Sequence, residues 1–203
     1  MATTTTDVAN IALLKLGEEL IADLDSDTGR SGLAVAEVFV DTRNEVFRTL
    51  PWACLVKRAN LVVSETTNYS EFDLIYTLPA DCLRALEISV DSASQNIIYR
   101  IEGPDLVTDE VDANLRYVAA VETPATWDAT LLEAIAIKIA TKIAYRITGN
   151  PNIAAAFLQE YIMTLAIAAK VAMTEGYEDS TPFITFLQGV SPGVLFRTNP
   201  VEE

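Results

Sequence analysis

A chain of 203 residues, half of them apolar, is long enough for one packed domain or one domain with a sizeable insertion. Its 29 acidic side chains against 14 basic ones leave a net charge of -15, which repels nucleic acid instead of gathering it by counterion release and which also serves plain solubility. Histidine is absent, so no Ser-His-Asp or Cys-His site exists within the chain and the commonest metal ligand is missing.

Met1 to Asn10 is Thr-rich, without the basic and apolar blocks of a secretory signal. Thr6 or Asp7 can cap a first helix, in which Val8, Ile11, Ala12 and Leu16 share a face and Gly17 permits a left-handed end. Residues 18–28 read as a connection. A second helix over about 31–50 carries Leu33, Ala36, Val40, Phe47 and Leu50 as its stripe, widened by Phe39 and Val46. Pro51 stops it, because proline disfavours helical geometry in the residue before it. The two cysteines, Cys54 and Cys82, form no C-x-x-C pair and read as small core residues of a reducing compartment.

From about 59 to 121 the period becomes alternating. Leu86, Ile88 and Val90 are expected on one side of a strand, and Ile97, Tyr99 and Ile101 on one side of another. The turn cluster 91–95 between them predicts a hairpin. Leu115, Tyr117, Ala119 and Val121 repeat the pattern.

A third helix is predicted over about 128–148, with Leu132, Ile135, Ile139, Ile143 and Ile147 as its stripe, flanked by Leu131 and Ala134. Gly149 closes it, Asn150 caps the next, and Pro151 occupies a favoured first-turn position, which implies an antiparallel pair. The fourth helix runs to about 175 and is rich in alanine. Ala155, Ala166, Ala169 and Ala172 read as a second helix surface for another subunit, or simply as good helix formers. Gln159, Glu160 and Lys170 interrupt its apolar stretch and argue against a membrane span, so a soluble, cytoplasmically made chain without a membrane anchor is expected.

Beyond Gly176 the pattern breaks at Pro182, Pro192 and Pro200. Phe183, Phe186, Val194, Leu195 and Phe196 lie between them, too apolar for a solvated tail. This reads as an arm, residues 177–203, that orders against its own subunit or a partner.

No phosphate-binding loop or dinucleotide fingerprint occurs. Asp23, Asp25 and Asp27 hint at a calcium loop, but Thr28 and Ala34 stand where that loop needs glycine and glutamate, so a polar turn capped by Ser26 or Asp27 is expected. Glu18, Glu19, Glu133 and Glu160 could pair as hydrolytic carboxylates but carry no signature. Trp52 and Trp127 could stack on a sugar or base; beside helix ends and apolar neighbours, a core or junction role is preferred. Arg43, Arg48, Lys57 and Arg58 gather near the end of the second helix, where cations complement the helix dipole or meet acidic neighbours.

An ordered set of short motifs is left over: Thr49-Leu50-Pro51-Trp52, Lys57-Arg58-Ala59, Tyr76-Thr77-Leu78-Pro79-Ala80-Asp81-Cys82-Leu83-Arg84, Tyr99-Arg100-Ile101-Glu102-Gly103, Leu115-Arg116-Tyr117, and the junction Thr148-Gly149-Asn150-Pro151. In order and spacing, over residues 7–176, the chain resembles the head-to-tail adaptor (tail tubular protein A) of short-tailed bacteriophages, the podoviruses. The resemblance implies a non-enzymatic virion protein of the viral tail, without catalytic residues, cofactor or metal. It implies a dodecameric homo-oligomeric ring, assembled in the host bacterial cytoplasm. That ring joins the portal protein to the tail nozzle protein, with tail fibres as a further partner, and leaves a channel through which double-stranded DNA passes without specific binding. By the same analogy Pro182, Phe183, Phe186, Pro192, Val194, Leu195 and Phe196 would dock on the portal. The alternatives are another phage connector or tail completion ring protein, or a carboxylate-dependent hydrolase.

The expected fold is therefore α+β: a bundle of long antiparallel helices (residues 1–58 and 122–176), an inserted small antiparallel β-sheet domain (59–121) and an extended C-terminal arm (177–203).

Overall fold

The computed structural model describes residues 3–64, 71–90 and 97–175. Helix α1 spans Thr5–Leu16, α2 Arg30–Thr49, α3 Ala129–Thr148 and α4 Pro151–Glu175; among the described residues seven strands lie between α2 and α3.

Local chemistry sets the helix ends. Thr4, not Thr6 or Asp7, caps α1: its hydroxyl accepts from the Asp7 amide at 3.1 Å, and the Asp7 carboxylate accepts from the Thr4 amide at 2.8 Å, a reciprocal capping box. Gly17 ends α1 with φ +74° and Gly149 ends α3 with φ +69°, a region costly for any side chain with a Cβ. Asp128 caps α3 through the Thr130 amide. The connection after α1 is pinned back onto it. Asn10 brackets Ile21, donating to its carbonyl at 3.0 Å and accepting from its amide at 2.9 Å, and Thr6 accepts from the Leu24 amide.

Helix α3 is the hub. Leu131, Ala134, Ile135, Ala136, Ile137, Ile139, Ala140, Ile143 and Ala144 are all buried, far more than one stripe. A helix apolar nearly all round must be covered nearly all round, and α1, α2 and α4 each pack against α3. Salt bridges fix the α2–α3 direction: Glu37 pairs with Arg146, and Glu45 with Lys142 and Lys138, so the chains run antiparallel. Lys15 of α1 bridges Glu133 of α3 and Glu160 of α4 at 2.7 and 2.8 Å.

The strands form two small antiparallel sheets. Strands β1 (Val56–Asn60), β7 (Asn114–Ala119) and β4 (Cys82–Ser89) make one, in the order β1-β7-β4. Strands β2 (Val62–Val63), β3 (Leu74–Thr77), β6 (Asp105–Thr108) and β5 (Tyr99–Glu102) make the other, in the order β2-β3-β6-β5. Between them lies a second core of Leu61, Tyr76, Ile88, Leu106, Ala113, Leu115, Tyr117 and Ala119. The three-stranded sheet turns its other face to the helices, where Val118 is fully buried in the helical core and Leu83 and Leu86 pack on it.

Three expectations are corrected. The bundle of long antiparallel helices carrying a single sheet does not form; the described residues make four helices and two small sheets. The reason lies in α3: α1 is only 12 residues long, and α1, α2 and α4 each pack chiefly on α3 and much less on one another. Among the described residues the predicted hairpin is not seen either, since β4 pairs with β7 and β5 with β6. Leu86 and Ile88 do not share a side, because register shifts in β4 between Cys82 and Arg84 and between Ala85 and Glu87 turn Leu86 to the helices and Ile88 to the sheet core. The turn cluster 91–95 and the arm 177–203 lie outside the described residues.

In α2 the core side chains are Ala34, Val35, Phe39, Val46, Phe47 and Leu50, while Leu33, Ala36 and Val40 face outward. Phe39→Ala should cost about 3–5 kcal/mol in urea unfolding, whereas Leu33→Ser should change stability by no more than about 0.5 kcal/mol.

Candidate interaction surface

Helix α4 is about 37 Å long and buries only part of its girth. Tyr161, Ala168 and Ala169 enter the helical core, with Phe157 and Leu165 beside them. On the outer side Met163, Ile167 and Val171, at successive four-residue steps, are 68%, 61% and 42% exposed, with Leu158 and Ile162 beside them. Residues four apart stand one above the other, so these form a continuous apolar stripe. Single exposed apolar residues are ordinary, but a contiguous stripe of large ones marks an interaction surface. Across Pro151–Ala172 the only charges are Glu160 and Lys170, and the segment is long and apolar enough to cross a membrane by length and composition. A second exposed apolar patch, Leu33 and Val40, lies on α2.

The structure distributes the four alanines singled out from the sequence. Ala155 is exposed, Ala166 and Ala172 are half-buried, and Ala169 is in the core with Ala168. The larger apolar side chains of the stripe were missed. Their four-residue spacing was visible, but alternation alone does not say which of two apolar faces α3 covers. The arm residues Pro182, Phe183, Phe186, Pro192, Val194, Leu195 and Phe196 lie outside the described residues.

Three of the four candidate carboxylates are held by partners. Glu18 accepts from the Ser31 hydroxyl at 2.6 Å, and Glu133 and Glu160 share Lys15. Burial alone would lower the Lys15 ammonium, but its hydrogen bonds to the two glutamates prevail and raise it. Asp23 accepts from the Ser26 hydroxyl and Asp27 from the Gly29 amide, so the acidic run folds into local turns ahead of α2; the N-cap position itself is Gly29. Among the described residues no group of three or more acidic or cysteine side chains is placed to hold a metal ion.

Of the basic residues, Lys57 pairs with Asp81 at 2.8 Å, Arg48 donates to the Leu83 carbonyl, and Arg84 donates back to the Arg48 carbonyl at 3.0 Å. Arg43 is buried with its guanidinium 5.8 Å from the centre of the Phe47 ring. Both tryptophans are buried, with their indole N–H groups donating to the carbonyls of Val46 and Val121. Trp127 meets Phe47 edge-on at 5.3 Å.

Three of the ordered motifs meet at one carboxylate. Pro79-Ala80-Asp81-Cys82 is a turn closed by the Cys82 amide donating to the Pro79 carbonyl at 2.8 Å. Asp81 then binds Lys57 of β1 and accepts from the Tyr117 hydroxyl of β7 at 3.0 Å. Lys57 and Tyr117 are cross-strand partners, so Asp81 clamps two strands at once. The hydrogen bond from Lys57 lowers the Asp81 carboxyl below its usual range, burial opposes this, and Tyr117 adds to the lowering. Burial first, and then the Asp81 hydrogen bond, push Tyr117 up to about 12. The site is a structural latch: it has donors, an acceptor and cross-strand geometry.

Compared with models of known protein families the chain matches none, and no curated protein matches it.

The Asp81 latch predicts two pH limbs. A lowered carboxyl contributes stability above its unfolded value and loses it as pH falls through the folded one. A raised phenol contributes below its unfolded value, near 10, and loses it as pH rises toward about 12. Urea midpoints measured against pH should therefore show Asp81→Asn flattening the acid limb below about pH 4. Tyr117→Phe should shrink the alkaline limb and cost about 1–2 kcal/mol at neutral pH.

Proposed function

We propose that the chain is a head-to-tail adaptor of short-tailed bacteriophages: a non-enzymatic virion protein whose copies form a dodecameric ring joining the portal to the tail nozzle, with a channel for DNA. The observation that carries this reading is the apolar stripe of α4, large side chains held in water on a helix anchored firmly along its other face. A ring needs two different surfaces per subunit, because each copy meets its neighbour head to tail. The α4 stripe and the Leu33 and Val40 patch of α2 supply two candidates on separate helices. Burying such stripes favours assembly by about 25 cal/mol per Å² of apolar surface, less the cost of association. The net charge of -15 per copy suits a channel wall, since like charge keeps DNA from adhering during passage.

A second reading follows from the same helix, which is long and apolar enough to span a bilayer. Against it stand Glu160, tied to Lys15, and Tyr161, whose ring lies 4.8 Å from the Lys138 ammonium. Insertion into lipid would strip α4 from both partners and carry Glu160 and Lys170 into the hydrocarbon, at about 2.5–3.5 kcal/mol for each such charge at the helix centre.

Light scattering after size-exclusion chromatography, on the chain alone and mixed with portal of the same virus, tests the proposal. A ring-sized complex is expected. Met163→Glu combined with Ile167→Glu should leave the helical circular dichroism intact and weaken ring formation by at least about tenfold, as burial of two charges in an interface demands. A wild-type chain that stays monomeric with portal, or that floats with liposomes, overturns the adaptor reading.

A further inference from the structure

Where α4 nears its end, a half-open cleft of about 300 Å³ lies between it and the start of α3. Trp52, Cys54, Trp127, Ala168 and Val171 form much of its lining, with Asp128 among its polar members. The Asp128 carboxylate is engaged with the Thr130 amide, so it caps α3 and does not stand unpaired over the cleft. Val171 belongs both to this cleft and to the exposed stripe Met163–Ile167–Val171, so the apolar surface of α4 runs into the cleft without interruption.

We propose that this cleft receives the chain's own apolar run Pro182-Phe183-Ile184-Thr185-Phe186-Leu187, from the segment outside the described residues. Position argues for it. Val171 and Ala172 of the lining are within about one turn of Glu175, the last residue of α4. Phe183 follows Glu175 by eight residues, a tether that spans up to about 26–29 Å when extended. The run therefore reaches the cleft without strain. A short tether also holds it at an effective concentration in the millimolar range, which a separate partner of the same chemistry has to exceed. Chemistry argues the same way. Two indole walls favour an aromatic guest packed edge-to-face or offset, and each buried phenyl ring removes large apolar area from water. The inference stands on the cleft and does not require the ring; a portal surface that binds the same run would have to displace it.

Disulfide trapping in the full-length chain tests this. In a Cys82→Ser background, Phe183→Cys and, separately, Phe186→Cys place a second thiol on the run opposite Cys54 of the cleft. Mild oxidation of dilute protein should give a disulfide within one chain for at least one of the two, in a yield independent of protein concentration. Disulfides only between chains would mean that another copy fills the cleft, and no disulfide in either variant would mean that the run lies elsewhere; both overturn the proposal. As a second measurement with the run altered but present, Phe183→Ser combined with Phe186→Ser in the same background should speed alkylation of Cys54 about tenfold or more, as loss of a tethered cover implies. An unchanged rate overturns it too.

Discussion

The burial of α3 is the constraint on which the rest of the molecule depends. Nine of its side chains, from Leu131 to Ala144, are in the core, and no single neighbour can cover so wide an apolar surface. Helices α1, α2 and α4 each take one flank. The alanines at 134, 136, 140 and 144 let those neighbours approach closely, and the isoleucines between them fill the gaps. The charges are arranged around this demand. Lys138 and Lys142 sit where α3 would otherwise expose ammonium groups between helices, and Glu45 of α2 meets both. Burial opposes the Glu45 carboxylate, yet its two lysine partners lower it below its ordinary value.

The sheets are attached to this helical core through β7 and β4. β7 is flanked on both edges, by β1 and β4, and shows different faces to different cores: Leu115, Tyr117 and Ala119 to the sheets, Val118 to the helices. The bulges of β4 serve the same end, letting Leu83 and Leu86 reach the helices while Cys82, Ala85 and Ile88 stay with the sheets. The Asp81 latch holds β1 and β7 at the end where β4 begins. Three of the short motifs singled out in the sequence thus meet in one scaffold.

What this scaffold presents outward includes the apolar stripe of α4 and the Leu33 and Val40 patch of α2. A helix so firmly anchored on one side cannot rotate its stripe inward, since Tyr161, Ala168 and Ala169 would have to leave the core. The stripe must be covered from outside or left wet, which is the physical motive for assembly and for a cleft occupant that continues it.

Much of this was legible in the residues. The four helices, the glycine ends of α1 and α3, the Asn150-Pro151 restart and the inward alternation of Leu115, Tyr117 and Ala119 all follow from local chemistry, which acts within a turn or a strand. The cap on α1 lay two or three residues earlier than expected, because Thr4 and Asp7 satisfy each other. Other features could not be read locally. Leu33 and Val40 looked like core but face water, since α2 has apolar residues on more than one side and only the docked α3 selects among them. The division into two sheets, the bulges in β4 and the meeting of Lys57, Asp81 and Tyr117 depend on strands far apart in the chain. Sequence alone determined where the four helices lie and that no histidine-based site exists, because these rest on neighbours and composition. Tertiary structure alone decided which apolar faces are buried and which stay exposed for a partner, because burial depends on what packs alongside.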